Sequence, residues 1–260
     1  MDLGLSGRFA LVTGGSHGIG LATALALADE GCSVAICARN ISRLEEAREL
    51  IRLRGVQALA IQADVQKPDN VEHVIHEISE IWGTVHILVN NVGGGGRWGS
   101  MIFEETADTV WDDVYAKNAA AAIRFTRLAI PLMRRQKWGR VVTVASILGR
   151  EGGGRPWFNM AKSAEISLMK TLAMDQRLVR DGITFNSVAP GNIMIPGTGA
   201  EKEAALDPQG FTDRLDHDFP MGRMGTPDEV ASAIVFLCSI RATLINGACV
   251  TVDGGESHAF

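Results

Sequence analysis

The sequence predicts an α/β fold, a doubly wound parallel sheet with helices on both faces. Three observations carry that expectation. Short strand-like runs that are apolar throughout alternate with helical patterns along almost the whole length, as strands buried on both faces require. Glycines gather where the strand-like runs end. No repeat, low-complexity tract or linker divides the chain, so residues 1–260 are expected to form one domain, a length that buries a full core without staples.

The elements follow in order. Phe9 to Thr13 is an apolar run ending in glycines, and Leu21 to Ala28 continues in helix formers. Ser33 to Ala38 is strand-like. Asn40 is placed to cap a helix in which Leu44, Ala47 and Ile51 recur at spacings of three and four, with Gly55 as its stop. Val56 to Ile61 predicts the third strand, Pro68 the first turn of the next helix, and Val85 to Val89 the fourth strand. Further strands are expected at Arg140 to Ala145, Ile183 to Val188 and Ala248 to Val252. Long helices are expected over Thr106 to Arg135 and Phe158 to Arg180, and a shorter one from Pro227 to Cys238.

Composition excludes several classes. With 46% hydrophobic residues, 21% charged residues and a net charge of −5, the chain is neither disordered nor built to grip a polyanion, so nucleic acid is not expected as a partner. Cys32, Cys37, Cys238 and Cys249 form no C-x-x-C pair and sit in apolar stretches, as core thiols of a reduced compartment do. The N-terminus lacks the pattern of a secretory leader, and no apolar run reaches the roughly 18 residues that span a bilayer. A cytoplasmic protein without membrane contact is expected.

In open parallel sheets, ligands bind outside the carboxyl ends of the strands. Three glycine clusters fall at such ends: Gly14, Gly15, Gly18 and Gly20 after the first strand, Gly93 to Gly96 after the fourth, and Gly149 to Gly154 after the fifth. Glycine is a common turn residue, but three clusters on one edge favour a shared ligand. The first, Thr13-Gly14-Gly15-Ser16-His17-Gly18-Ile19-Gly20, lies between a strand and a helix. There the backbone can approach a pyrophosphate and the helix start offers free N–H groups.

Over nearly its full length the sequence resembles the short-chain dehydrogenase/reductase family. The resemblance rests on TGGSHGIG at 13–20, Ala63-Asp64-Val65, Asn90-Asn91-Val92-Gly93, Asn118, Ser146, Lys162 and Asn186-Ser187-Val188-Ala189-Pro190-Gly191. PMGRMGTPDEVA at 220–231 and the closing Val252-Asp253-Gly254-Gly255 add to it. It implies a Rossmann-type sheet and a bound dinucleotide. Thr13, Gly14, Ser16, His17, Gly18, Ile19 and Gly20 would hold the pyrophosphate, and Asp64 and Val65 would sit by the adenine. Asn91 and Gly93 would line the cofactor, while Asn90 steadies the central strand. Lys162 would hold the nicotinamide ribose. The backbone after Pro190, through Gly191 to Ile193, would face the carboxamide.

Cofactor choice turns on the end of the second strand. A carboxylate there would bind a ribose 2′-OH and repel a 2′-phosphate. The chain instead has Ala38 followed by Arg39 and Asn40, and an arginine can pair with a phosphate through two parallel hydrogen bonds. His17 lies where NADP-preferring relatives often carry a basic residue. NADP(H) is therefore favoured, with NAD(H) as the other candidate.

Family members interconvert a carbonyl and an alcohol with an Asn-Ser-Tyr-Lys set, and the resemblance places Asn118, Ser146 and Lys162 in three of its positions. The fourth holds Phe158, four residues before Lys162 on the same helix face. Phenylalanine has no proton to give, and one positioned acid is typically worth about 10²–10⁴ in rate. The chain is then a form altered to trap substrate, or a natural member in which water, Ser146 or Lys162 handles the proton. A third possibility is a nucleotide-binding sensor or scaffold that has left redox chemistry. The single tyrosine, Tyr115, lies a helical turn before Asn118 and is read as a packing residue. Residues 195–219 correspond to the family's substrate-covering loop, and Arg97, Trp98, Arg150, Arg155 and Trp157 are expected around the pocket mouth of a small-molecule carbonyl or alcohol substrate. The resemblance also implies a homo-oligomer, a tetramer or dimer, through the long helices, with Ala119 to Ala122 either at a helix contact or against the protein's own sheet.

Overall fold

The computed structural model describes residues 1–197 and 199–259. Seven strands, β1 (Phe9–Thr13), β2 (Ser33–Ala38), β3 (Ala58–Gln62), β4 (Ile87–Asn90), β5 (Gly139–Val144), β6 (Ile183–Pro190) and β7 (Cys249–Val252), form one sheet in the order β3-β2-β1-β4-β5-β6-β7. Every pairing is parallel. The order reverses between β1 and β4, which opens a crevice at their carboxyl ends. Sequence and structure agree on all seven strands to within a few residues at each end.

Alternation along each strand divides the core. Ala10 and Val12 of β1 face one side with Ile87 and Val89 of β4. Leu11 and Leu88 face the other. The first side is covered by α1 (Gly18–Asp29), α2 (Ile41–Arg52) and α10 (Pro227–Cys238), through residues such as Leu27, Leu44 and Ile234. The second is covered by α3 (Pro68–Trp82), α5 (Ala121–Arg135), α6 (Pro156–Ala173) and the short α7 (Gln176–Val179), through Val74, Phe125, Met169 and Leu178. The caps are those the sequence offers. Asn40 accepts the Arg43 N–H at 3.0 Å, Pro68 opens α3 and left-handed Gly83 closes it.

Three expectations change. The helix expected over 106–135 is broken: α4 (Asp108–Tyr115) passes through a π-helical turn at Ala116–Ala120 before α5 begins. The reason is Asn118, whose Nδ2 donates to the Val114 carbonyl at 2.7 Å and competes with the backbone ladder there. The helix expected over 158–180 stops at Ala173, and Asp175 caps the separate α7 by accepting the Arg177 N–H at 2.9 Å. Finally, the segment expected as a loop over 195–219 is largely helical, with α8 (Gly199–Leu206) and α9 (Pro208–Asp218). Its Pro208 starts α9 rather than breaking a helix; Thr198 lies outside the described residues.

Of the alanine run, Ala121 packs with Phe125 into the core against the protein's own sheet. No helix among the described residues is long and apolar enough to cross a membrane.

His86, just before β4, ties the amino-terminal edge of the sheet. Its Nδ1 accepts the Phe9 N–H at 3.1 Å, which only the neutral ring can do. Burial, aided by the Arg8 charge, lowers its pKa from 6.5 to about 4. The unfolded chain therefore binds a proton that the folded one refuses. Stability is expected to be full above about pH 6.5 and to fall as pH drops towards 4. Urea unfolding across that window should show this slope, and His86→Gln should flatten it.

Candidate active site

The carboxyl ends of β1 and β4 are joined by one hydroxyl. Thr13 Oγ1 accepts the backbone N–H groups of Asn91 at 2.9 Å and Val92 at 3.1 Å, and donates to the Val89 carbonyl at 3.4 Å. Asn91 Nδ2 returns the contact, donating to the Thr13 carbonyl at 2.9 Å and the Gly14 carbonyl at 3.4 Å. The turn that follows is packed so tightly that side chains are excluded. A Cβ on Gly15 would stand 2.3 Å from Ile36 Cγ2, and one on Gly20 would stand 2.4 Å from both the Gly14 carbonyl and Asn91 Nδ2. His17 precedes α1 with extended backbone and no side-chain cap, so the first N–H groups of α1, including those of Gly18 and Ile19, are left for a ligand. Ile195 leans over this turn, 3.2 Å from where a Gly18 Cβ would lie.

A cleft of about 470 Å³ opens beside the turn. Gly14, Ser16, His17, Arg39, Asn40, Asp64, Val65, Asn91 and Gly93 line it together, nine residues that the sequence had proposed for the dinucleotide. Thr13 and Gly20 support its floor rather than line it. Pro190 ends β6, and Gly191 closes onto Val252 through a 3.2 Å backbone hydrogen bond. Ile193 sits elsewhere: it bridges to Gly225 and lines a second hollow of about 270 Å³ with Met221 and Asp253. Two cations that the sequence reading passed over, Arg43 and Lys117, also border the main cleft. Burial lowers the pKa of Lys117, with the nearby charges of Arg39 and Lys162 acting in the same direction and Asp64 opposing them. Its ammonium lies 4.9 Å from the Trp98 ring centroid. A cluster of cations beside a glycine turn, with alanine at position 38, suits a phosphate-rich ligand.

At the inner end of the cleft, Asn118 is wholly buried and spends its amide on Gly94. Nδ2 donates to the Gly94 carbonyl at 2.8 Å, and Oδ1 accepts the Gly94 N–H at 3.1 Å. Ser146, at the end of β5, accepts the Leu148 N–H at 3.2 Å and so has its own proton to offer. Lys162 Nζ donates to the Val144 carbonyl at 3.0 Å and to Glu165 Oε2 at 2.9 Å. A Cβ on Gly93 would fall 2.8 Å from both Lys162 Nζ and Asn118 Oδ1. That glycine therefore leaves open the space the two groups share. The Phe158 ring packs near Gly96, and its centroid is 5.7 Å from Lys162 Nζ. Phe158 and Lys162, four residues apart, thus lie on one face of α6.

The expected pocket mouth is partly spoken for. Arg155 donates to the Trp98 and Ser100 carbonyls at 2.6 and 3.0 Å and also to that of Gly99, fixing the loop rather than facing a substrate. Trp157 is buried against Val114 and Ala161, with Trp111 stacked edge-on at 5.5 Å. Arg97 reaches towards the start of α8. Tyr115 is exposed rather than packed in the core. Glu165 was missed outright; its signal was an acid three residues after Lys162 on the inner face of a helix.

A family model described as Enoyl-(Acyl carrier protein) reductase matches residues 14–257. The 3-oxoacyl-[acyl-carrier-protein] reductase FabG of Staphylococcus epidermidis is 35% identical over 250 residues, covering 95% of this chain and 98% of that one. Among solved structures, L-sorbose reductase from Gluconobacter frateurii, complexed with NADPH and L-sorbose, superposes with a TM-score of 0.91 at 34% identity over 100% of both chains. A 7α-hydroxysteroid dehydrogenase complexed with NADH and 7-oxo glycochenodeoxycholic acid superposes with a TM-score of 0.88 at 26% identity, covering 98% of this chain and 96% of that one.

The tightness of the glycine turn is open to test. At position 20 the obstacles are a backbone carbonyl and the Asn91 amide that braces it, so little can yield. Gly20→Ala is expected to cost about 1–3 kcal/mol in urea unfolding, whereas alanine at Gly55, where a Cβ meets nothing within 4 Å, pays only for its left-handed backbone.

Proposed function

The chain belongs to the short-chain dehydrogenase/reductase family of NAD(P)-dependent oxidoreductases, and we propose that it interconverts a ketone or aldehyde with an alcohol using NADP(H), with proton transfer slowed by Phe158. One observation carries this reading. A cleft bordered by Arg39, Arg43 and Lys117 runs at the carboxyl ends of the strands to a cluster of Asn118 and Lys162, with Ser146 at the neighbouring strand exit.

The residues fit a dinucleotide. Gly15 and Gly20 let the turn pack closely against Ile36 and its own backbone, and the uncapped start of α1 offers a pyrophosphate N–H donors. Arg39, exposed at the exit of β2, and Arg43, one helical turn along α2, supply charge where a ribose 2′-phosphate would lie. No carboxylate stands at position 38 to repel it. Lys162 would hold the nicotinamide ribose near Gly93. When bound, the nicotinamide supplies or accepts the hydride, which is chemistry the protein itself lacks.

The chain's own residues supply orientation and charge. Ser146 has a hydroxyl proton free to hydrogen-bond the substrate oxygen, polarising a carbonyl before reduction. Asn118 holds Gly94, and with it the loop over the cleft, through two hydrogen bonds that also fix its own amide. Lys162 contributes positive charge close to the reacting end. Phe158 presents an apolar edge where relatives present a phenol, so the developing alkoxide loses its best-placed acid. A sensor or scaffold role would keep the nucleotide end and need none of this chemical end.

Two measurements test the reading. Across a panel of ketones and aldehydes with NADPH, Phe158→Tyr is expected to raise turnover by about 10²-fold or more; no turnover by either form would leave the nucleotide-binding role standing. Arg39→Asp is expected to weaken NADPH binding by about tenfold or more while leaving NADH binding unweakened, read by fluorescence titration.

A further inference from the structure

Glu165 is a buried acid that the reaction as described leaves idle. It follows Lys162 by one turn of α6, and both side chains are almost wholly withdrawn from solvent, 4% exposed for Lys162 and 2% for Glu165. Their contact is direct, Nζ to Oε2 at 2.9 Å. Neighbouring inward positions of α6 hold Ala161 and Met169, so an apolar residue would satisfy packing at 165. A buried ion pair is a poor way to gain stability, since desolvating two charges offsets most of their attraction. The carboxyl therefore calls for an account in chemistry, and it touches the one cationic side chain that the reaction needs.

We propose that Glu165 is a positioning residue that acts through Lys162: its carboxyl stores the proton that replenishes Lys162, and Lys162 delivers the proton a phenol at position 158 would otherwise give. This rests on the oxidoreductase reading above. In the reducing direction, hydride reaches the carbonyl carbon and the carbonyl π electrons pass to oxygen. An O–H bond then forms as an N–H bond of the Lys162 ammonium breaks, leaving the amine. The amine takes the proton of the Glu165 carboxyl, an N–H bond replacing the O–H, and the carboxylate left behind regains a proton from water between turnovers. Oxidation of an alcohol runs the same path backwards.

The surroundings suit this role. Two of the three Lys162 donors are anchored, on Val144 and on Glu165 itself, and Nζ borders the open space beside Gly93. Burial pushes the Glu165 carboxyl above the usual carboxylate range, although the charge and hydrogen bond of Lys162 pull it down. Lys162 is the charged group that acts on Glu165, and its charge also helps lower the pKa of Lys117. Burial thus favours the protonated form of the carboxyl that touches Lys162.

The test is a mutant cycle read two ways. Glu165→Gln keeps shape and removes the proton store. It is expected to lower kcat for reduction at least tenfold in the Phe158 chain with little change in the KM for NADPH, to abolish the fall of kcat on the alkaline side of the pH profile, and to cost at least tenfold less in the Phe158→Tyr chain. Glu165→Asp should recover part of the loss. Equal losses in both backgrounds, or none in either, would overturn the proposal. Infrared spectroscopy of the unliganded protein supplies a second readout: a protonated-carboxyl band at neutral pH that Glu165→Gln removes. Turnover without that band sinks this proposal alone, whereas absence of turnover in every form sinks it together with the oxidoreductase reading.

Discussion

Because all seven strands run the same way, every carboxyl end lies on one edge of the sheet, and the glycine turn and the cleft are assembled there. The crevice opens where β1 and β4 become neighbours while their connections leave in opposite directions. Thr13 holds that point together: one hydroxyl takes two backbone N–H groups from the exit of β4 and gives its proton back to the same strand. The glycine turn, the cleft and the Gly93–Gly94 backbone all hang from that junction. Loosening it would move the nucleotide end and the chemical end together.

Close approach is the second constraint, and glycine meets it differently at each place. Gly15 makes room for Ile36 of the next strand, so its smallness serves packing of the sheet against the turn. Gly20 makes room for the turn's own backbone and the Asn91 brace. Gly93 keeps open the space bordered by Asn118 and Lys162. The π-helical turn belongs to the same economy of space. Asn118 can reach Gly94 with both ends of its amide because the chain carries an extra residue in that turn, at the expense of a regular hydrogen-bond ladder.

Much of this was legible in the chain itself. Unbroken apolar runs such as Phe9–Thr13 and Ile183–Val188 announce strands buried on both faces, and the glycine clusters mark the edge where they end. Caps such as Asn40 and Pro68 are local chemistry and read directly. What stayed hidden depends on contacts between distant residues. The break at Asn118 follows from a side chain bonding its own helix and a loop 24 residues away. Arg155 looks like a free surface charge until its guanidinium meets the carbonyls of a loop more than fifty residues earlier. Arg43 and Lys117 enter the cleft only because α2 and the π-turn bring them beside Arg39 and Asp64. Helical content in the 195–219 segment was masked by its glycines and prolines, two of which start helices instead of ending them.

Phe158 and Glu165 flank Lys162 on a single helix. A cation beside a phenol favours its ionised form and so strengthens it as an acid. Here Lys162 Nζ also lies 2.9 Å from a carboxyl on its other side, in a setting that water does not reach. With phenylalanine at 158, the acid in contact with the lysine is the group placed to exchange a proton with it. A hydroxyl absent on one side of Lys162 and a carboxyl present on the other shift the proton chemistry of the site by about two helical turns along α6, without moving the lysine on which both arrangements depend.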